Sequence, residues 1–198
     1  MLFRSAAARM FDVPGTIVMP QDAPSLKISN TRDYGAQVVL YDRATQDRKK
    51  LAEEISAHSG AVLVRPFDDP DVIAGQGTVG LELAEQAAAL GAQLDAVLVP
   101  CGGGGLIAGC ALALKSKFPK AAIYAVEPAG LDDTRRSLLA GRRLDNSPQS
   151  HSICDALLTE MPGELTFEIN RKLLAGALAV TDSDRKSTRL NSSHRTGS

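Results

Sequence analysis

The fold is decided by Val97-Leu98-Val99-Pro100-Cys101-Gly102-Gly103-Gly104-Gly105-Leu106-Ile107, a stretch near the middle of the chain. Its β-branched apolar run indicates a buried strand, its four glycines indicate a loop, and residues 106–118 have the pattern of a helix that opens directly from that loop. Because glycine has no Cβ, several backbone N–H groups can surround one anion, and the first helical turn adds unpaired donors and a positive dipole end. The stretch therefore predicts a phosphate-binding loop.

The rest of the chain alternates between strand and helix patterns on both sides of this loop. Such alternation predicts parallel sheets covered by helices, an α/β fold. A segment rich in Pro and Asp, Arg65-Pro66-Phe67-Asp68-Asp69-Pro70, interrupts the alternation and predicts a domain boundary. The predicted strands are 16–19, 36–41, 61–64, 96–99, 121–126 and 177–180. The predicted helices are 25–34, 45–58, 70–90 with an interruption at 75–77, 106–118, 133–140 and 165–174.

Composition excludes several classes of function. The formal net charge is −1 with acids and bases mixed along the chain, which gives no reason to expect nucleic acid or an anionic membrane as a partner. No apolar run is long enough to span a bilayer, and the N-terminus lacks the features of a signal peptide, so we expect a cytoplasmic protein. The three cysteines have no CxxC spacing, which predicts reduced thiols rather than disulfides or a zinc site.

Three kinds of phosphate ligand can be weighed against the loop. A nucleoside triphosphate loop needs Gly-Lys-Ser/Thr at its end, whereas Gly105 is followed by Leu106-Ile107, which excludes that interpretation. Gly103-x-Gly105-x-x-Ala108, with Glu127 about twenty residues on, fits a dinucleotide fingerprint and therefore NAD. However, that fingerprint normally lies in the first strand and helix of its domain, whereas at least three predicted strands precede the loop here. Four consecutive glycines also suit a compact terminal phosphate, such as that of pyridoxal phosphate, better than a dinucleotide.

Three motifs of the second half are Phe67-Asp68-Asp69-Pro70-Asp71-Val72-Ile73-Ala74-Gly75-Gln76-Gly77-Thr78, the stretch from Val99 to Gly109, and Val126-Glu127-Pro128. They resemble the serine/threonine dehydratase and serine racemase family of pyridoxal-phosphate enzymes. Met19-Pro20-x-x-Ala23-Pro24-x-x-Lys27 and Tyr34-Gly35-Ala36 match the family's smaller domain. The resemblance covers 6–184 and implies the tryptophan synthase β-like fold, with two parallel-sheet αβα domains truncated at both ends.

The resemblance also implies which residues bind ligands. Leu106, through its amide, and Ala156, beside the cofactor ring, would complete a pyridoxal-phosphate site whose phosphate is held by Gly102, Gly103, Gly104 and Gly105. Glu127, the carbonyl of Leu131 and Asp133 would hold Mg or Ca, since hard cations prefer oxygen ligands. From the residues alone, without the resemblance, the interpretation of Glu127 as a strand-end acid and of Asp133 as a helix cap is favoured over a metal site.

The ends of the chain depart from the family. The family's Schiff-base lysine lies in a Ser-x-Lys-x-Arg-Gly motif, and none of the lysines here lies in such a motif. We therefore expect no catalytic lysine in this chain and no activity from it alone. Residues 1–5 are interpreted as a foreign join, 6–65 as the smaller domain, 66–184 as the larger cofactor-binding domain, and 185–198 as a foreign or disordered tail.

The function that the resemblance implies is a serine/threonine ammonia-lyase, which converts L-threonine or L-serine to a 2-keto acid and ammonia by β-elimination. Serine racemase and 3-hydroxyaspartate ammonia-lyase are alternatives within the family. An NAD-binding Rossmann enzyme and a non-catalytic remnant that binds only phosphate or metal are alternatives of other classes. The expected partner is a small amino-acid substrate, and we expect the intact protein to be a homo-oligomer.

Overall fold

A computed structural model of the chain describes residues 2–184, so the predicted tail at 185–198 lies outside the described residues. The chain divides into two units, Met1–Leu63 and Val64–Ser198. The division falls beside the segment 65–70 that predicts a domain boundary. Each unit contains a parallel sheet with helices, which confirms the predicted α/β class.

The first unit has a two-stranded parallel sheet. Its elements are α1 (Leu2–Met10), β1 (Thr16–Pro20), α2 (Ser25–Asp33), β2 (Gln37–Tyr41) and α3 (Arg48–Ser59). Thr16 pairs with Gln37 at one end of the ladder and Pro20 with Tyr41 at the other. Gly35, with φ of 82°, takes the left-handed conformation expected just after a helix. Helix α1 includes residues 2–5, and its Ser5 is buried.

The predicted strand at 61–64 is wrong. Residues 61–64 form no ladder with either strand of the first unit, and the side chain of Val62 is 89% exposed. An apolar, β-branched run shows only that a segment suits a sheet, whereas a strand also needs a neighbour for its N–H and C=O groups.

The second unit has a three-stranded parallel sheet with helices packed on it. The elements are α4 (Pro70–Ala89), β3 (Ala96–Pro100), α5 (Gly105–Lys117), β4 (Ala122–Pro128), α6 (Asp133–Ala140), a 3₁₀ helix (Asp155–Leu157), α7 (Glu164–Leu173) and β5 (Gly176–Val180). The strand order is β3-β4-β5. The core is formed by α5 against the sheet, with Ile107, Leu114, Ile123 and Ala125 fully buried.

Helix α4 is continuous, so the predicted interruption at 75–77 is wrong. Asp69 caps it as predicted, by accepting the amides of Asp71 and Val72. The glycines of α4 serve close packing against α5 instead of a break. A Cβ on Gly80 would lie 2.9 Å from the Cα and the carbonyl oxygen of Cys110. The two helix backbones therefore approach each other too closely for any larger residue at that point.

The carboxyl ends of the three parallel strands meet at one edge of the sheet. From that edge emerge the glycine loop (residues 101–105), the segment 129–132 that leads into α6, and Thr181-Asp182. This edge is where open α/β sheets bind their ligands. Among residues 2–184, no helix combines the length and the apolar character that crossing a membrane requires.

Candidate functional site

The glycine loop joins β3 to the first turn of α5. The amide of Cys101 still belongs to the sheet, because it donates to the carbonyl of Val126 at 2.9 Å. Within the described chain, the amides of Gly102, Gly103, Gly104, Gly105 and Leu106 donate to no protein acceptor. These amides stand at the N-terminus of α5, where the helix dipole favours an anion. The donor set predicted from the sequence is therefore brought together, and it fits a phosphate group.

The carbonyls of the loop are held by α7. The carbonyl of Gly103 accepts the Thr166 hydroxyl at 2.7 Å and the Gly163 amide at 3.2 Å, and that of Gly104 accepts the Asn170 side-chain amide at 3.4 Å. In a trans peptide unit the N–H points opposite to the C=O. By holding two successive carbonyls, α7 directs the next two amides of the loop away from itself.

Close packing explains why three positions of the loop, Gly103, Gly104 and Gly105, are glycine. Gly104 has φ of 91°, and a Cβ there would lie 2.8 Å from Nδ2 of Asn170. A Cβ on Gly103 would overlap the ring of Phe67, and one on Gly105 would lie 2.9 Å from the Cβ of Phe67. Phe67 and α7 thus confine the loop to one conformation.

The segment that contains Ala156 lies beside the loop. A Cβ on Gly102 would lie 3.4 Å from the Cα of Leu157, which follows Ala156 in the 3₁₀ helix. Ala156 itself is exposed. Asp182, at the end of β5, accepts the hydroxyl of Ser152 at 2.6 Å and the amide of Ile153 at 3.1 Å. These bonds tie the preceding segment to the same edge of the sheet.

The three predicted metal-binding residues are all buried next to the loop. Glu127 and Asp133 are each 1% exposed and Leu131 is 4% exposed. The carboxylate of Glu127 accepts the amides of Thr134 and Arg135 at 2.9 and 2.8 Å, so it caps α6 from the end of β4. The expectation that Asp133 caps this helix with its side chain finds no support, because its Oδ1 accepts Nδ2 of Asn146 at 2.6 Å instead.

Burial raises the free energy that is needed to ionise Glu127 and Asp133. Burial raises the pKa of Glu127 to about 7, although its two amide hydrogen bonds oppose the rise. Burial likewise raises the pKa of Asp133 to about 6, against the hydrogen bond from Asn146. The Oδ2 atom of Asp133 is buried with no hydrogen-bond partner in the described structure. An unpartnered carboxylate oxygen beside a second buried acid is a donor set that a hard cation would satisfy.

The site offers few side-chain ligands to a metal ion beyond Glu127 and Asp133. Among residues 2–184, no three His, Cys, Asp or Glu side chains gather as a metal cluster. A cation here would therefore need the Leu131 carbonyl or water as well as the two carboxylates.

The Cys101 thiol at the start of the loop is not a nucleophile. Burial raises the pKa of Cys101 to about 12, so this thiol, 3.4 Å from the Thr134 hydroxyl, stays protonated. All three cysteines are free, as predicted.

Several residues that shape the site were not predicted from the sequence. Phe67 and Asp68 belong to a motif that was recognised, but nothing local shows which element they contact. Thr166 and Asn170 carried a detectable signal, because two polar residues four apart lie on the buried side of a helix that also buries Phe167. Polar side chains on a core-facing stripe are typical of groups that hold other parts of a structure by hydrogen bonds.

The fold and the site together define a class: an α/β unit whose glycine loop, at the carboxyl ends of its strands, fits an anionic group. Residues 4–197 match the family model described as pyridoxal-phosphate dependent enzyme, and the chain belongs to that family. It is 43% identical over 179 residues to the L-threo-3-hydroxyaspartate ammonia-lyase of Saccharomyces cerevisiae. The match covers 90% of this chain and 53% of that protein.

Two solved structures extend the comparison. A threonine deaminase from T.th. superposes with a TM-score of 0.88 at 42% identity, covering 96% of this chain and 61% of that one. The serine racemase of Dictyostelium discoideum superposes with a TM-score of 0.80 at 38% identity, and the match covers 94% of this chain and 57% of that one. The tryptophan synthase β-like fold expected from the resemblance is thereby confirmed. The chain spans about half the length of the curated relatives it matches.

The family membership also decides between the phosphate ligands. The NAD alternative assigned Glu127 to a ribose hydroxyl, but this carboxylate caps α6 and is only 1% exposed, which leaves no surface for a ribose. Each of its oxygens keeps a second lone pair, which suits a group as small as a cation. The cofactor of the family is pyridoxal phosphate. The NAD interpretation is therefore not supported by the geometry or by the relatives.

Proposed function

We propose that this chain is the part of a pyridoxal-phosphate-dependent serine/threonine ammonia-lyase that binds the cofactor phosphate and a divalent cation. The observation that carries the proposal is the row of amides from Gly102 to Leu106, which have no protein acceptor in the described structure and stand at the N-terminus of α5. Relatives named threonine deaminase and hydroxyaspartate ammonia-lyase support this reaction class. Serine racemase activity is the second candidate, supported by relatives of that name.

In this proposal each part of the chain has a defined role. Gly102, Gly103, Gly104, Gly105 and the amide of Leu106 would donate to the phosphate oxygens, and Ala156 would lie beside the ring. When bound, pyridoxal phosphate supplies an electron sink for the carbanion that forms when an amino acid loses its α-proton. Serine or threonine would then lose its β-hydroxyl as water, and hydrolysis of the unsaturated amine that remains would yield a 2-keto acid and ammonia.

The cation is assigned to the acid pair. Glu127, the Leu131 carbonyl and Asp133 would bind Mg or Ca, and the positive charge would allow both buried carboxylates to ionise at neutral pH. Because Glu127 also caps α6, the cation would stabilise the fold around the site. This role does not require the cation to contact the substrate.

The test of the phosphate site compares ligands with and without the small phosphate group, and includes NADH for the dinucleotide alternative. Pyridoxal phosphate and inorganic phosphate should bind the full chain by equilibrium dialysis, and pyridoxal and NADH should not. Any adduct is reduced with borohydride and mapped by mass spectrometry, so that labelling of surface lysines is counted separately. Equal uptake of pyridoxal and pyridoxal phosphate, or tight binding of NADH, would contradict the proposal.

A pair of glycine variants tests whether the loop is responsible. Gly104→Ala and Gly141→Ala both place alanine at a positive φ, 91° and 68°, and so share a backbone strain of about 1–2 kcal/mol. Only at Gly104 would the new Cβ also meet Asn170, whereas nothing lies within 4 Å at Gly141. We expect Gly104→Ala to lose phosphate binding at least about tenfold, equivalent to about 1.4 kcal/mol, and Gly141→Ala to retain it.

A further inference from the structure

We infer that Asp68 is a positioning residue for the phosphate loop and acts through helix α7. The inference rests on the proposed function in one respect only, which is that the glycine loop binds a phosphate. Nothing in the family motif assigns Asp68 to the loop, which it does not contact by any described hydrogen bond.

The first step is that Asp68 caps a distant helix. The N-cap of α7 is Gly163, which has no side chain to satisfy the first amides. The carboxylate of Asp68 takes that place: Oδ2 accepts the amide of Glu164 at 3.0 Å, and Oδ1 accepts those of Leu165 and Thr166 at 2.9 and 3.2 Å. Charge-assisted bonds at a helix N-terminus are among the stronger hydrogen bonds of a protein, and the helix dipole adds to them.

The second step is that the same turn of α7 holds the loop. Thr166 donates its amide to Asp68 and its hydroxyl to the carbonyl of Gly103. Gly163 donates its amide to the same carbonyl, and a Cβ on Gly163 would overlap the carboxylate of Asp68. A shift of Asp68 therefore moves the two donors that orient the peptide between Gly103 and Gly104.

The third step is that Asp68 and its neighbour act on the same loop. Phe67 packs directly against Gly103 and Gly105, as their lack of room for a Cβ shows. The dipeptide Phe67-Asp68 thus contacts the loop through one side chain and the helix that holds the loop through the other. A phosphate bound to the loop would depend on a carboxylate that never touches it.

The experiment compares two adjacent acids that each cap a helix. Asp69 accepts two amides at the start of α4 through Oδ1 alone, so Asp69→Asn removes the same charge from the adjacent position, keeps an acceptor for those amides and does not affect α7. Asp68 uses both of its oxygens, so Asp68→Asn loses one acceptor as well as the charge. Amide exchange is measured by NMR in the full chain without ligand, at Ala108, which donates to Gly104, and at Gly163, which donates to Gly103. We expect Asp68→Asn to accelerate exchange at both amides about tenfold, as the loss of a charge-assisted bond implies, and Asp69→Asn to leave both unchanged.

The binding of inorganic phosphate is measured on the same proteins. Asp68→Asn should weaken it about tenfold, Asp68→Glu should restore part of it, and Asp69→Asn should match the unmodified chain. Equal effects of the two Asn variants at Ala108 and Gly163, or none from Asp68→Asn, would overturn the inference. If the unmodified chain takes up no phosphate, the proposed function fails, while the exchange data still decide the role of Asp68.

A second variant serves if Asp68→Asn does not fold. Thr166→Val keeps the amide bond to Asp68 but removes the hydroxyl bond to the Gly103 carbonyl. It should accelerate exchange at Gly163 and Ala108, and Thr166→Ser should reverse the effect. Unchanged exchange in Thr166→Val would show that α7 does not hold the loop and would equally overturn the inference.

Discussion

At the scale of single residues, ionisation of the buried pair Glu127 and Asp133 should destabilise the folded chain, and the stability should therefore depend on pH and on a bound cation. Glu127 and Asp133 have a raised pKa in the folded chain, about 7 and about 6. A folded state that binds protons more tightly than the unfolded state loses stability as pH rises. The stability that these groups contribute is therefore fully present below about pH 4 and is lost as pH rises toward 7.

The first prediction at this scale concerns Asp133→Asn in a metal-free buffer with chelator. Between pH 4 and pH 7, the free energy of unfolding should fall less in the variant than in the unmodified chain, by on the order of 3 kcal/mol. Urea unfolding at each pH measures the difference. Asp145→Asn, which removes an exposed acid from the same region, is the control and should follow the unmodified chain.

Adding Mg or Ca at pH 7 should restore the stability of the unmodified chain but not that of Asp133→Asn. A chain whose stability does not respond to either cation would contradict the metal assignment while leaving the phosphate site intact. The two halves of the proposed function are therefore separable.

The residues of the site differ in whether their roles could be predicted from the sequence. The glycines and both acids were predictable because each belongs to a short motif whose chemistry is local. Asp68 was not, because its bond to the amide of Glu164 spans 96 positions of the chain. The capping role of Glu127 was not predicted either, because its carboxylate takes the place of the local cap that Asp133 was expected to provide.

At the scale of elements, the packing of α4 on α5 depends on small residues. The buried side of α4 is formed by Ile73, Gly77, Gly80, Ala84 and Ala87, at alternating steps of four and three. From α5, Gly109 fits so closely that a Cβ would overlap the carbonyl of Ile73. Since α5 begins in the glycine loop, this contact holds the helix on which the loop ends.

Two glycines of α4 give a matched test of that contact. Gly80→Ala places a Cβ against the backbone of Cys110 and should destabilise the chain by about 1–3 kcal/mol through overpacking. Gly75→Ala lies in the same helix with nothing within 4 Å and should stabilise it by about 0.5–1 kcal/mol. Urea unfolding followed by circular dichroism measures both. A stabilising Gly80→Ala would show that the helices are farther apart than described.

Element prediction succeeded where the pattern and its cause were local. Caps, glycine stops and alternating apolar runs placed β3, α5 and β4 within two residues of the observed bounds. It failed at 61–64, where a strand depends on a pairing partner, and at 75–77, where two glycines were interpreted as a break. Glycine lowers helix propensity, but burial of the close contact with α5 outweighs that cost.

At the scale of the whole molecule, every residue proposed to bind phosphate or cation lies in the second unit, Val64–Ser198. The first unit contributes a parallel sheet of two strands and none of those donors. Ligands stabilise the part of a protein that binds them, and hydrogen exchange reports that stabilisation segment by segment. The two units should therefore respond differently to the same ligands.

The last prediction is a map of that response on the full chain. Pyridoxal phosphate together with Mg or Ca should slow amide exchange in β3, α5, β4 and α7, at least about tenfold when the ligand exceeds its dissociation constant tenfold or more. Exchange in β1 and β2 should stay the same. Pyridoxal without the phosphate, with the same cation, is the control and should protect only the segments around Glu127 and Asp133. Equal protection of both units would mean that the ligands bind elsewhere than at the glycine loop and the acid pair, because a site built entirely from the second unit stabilises that unit first.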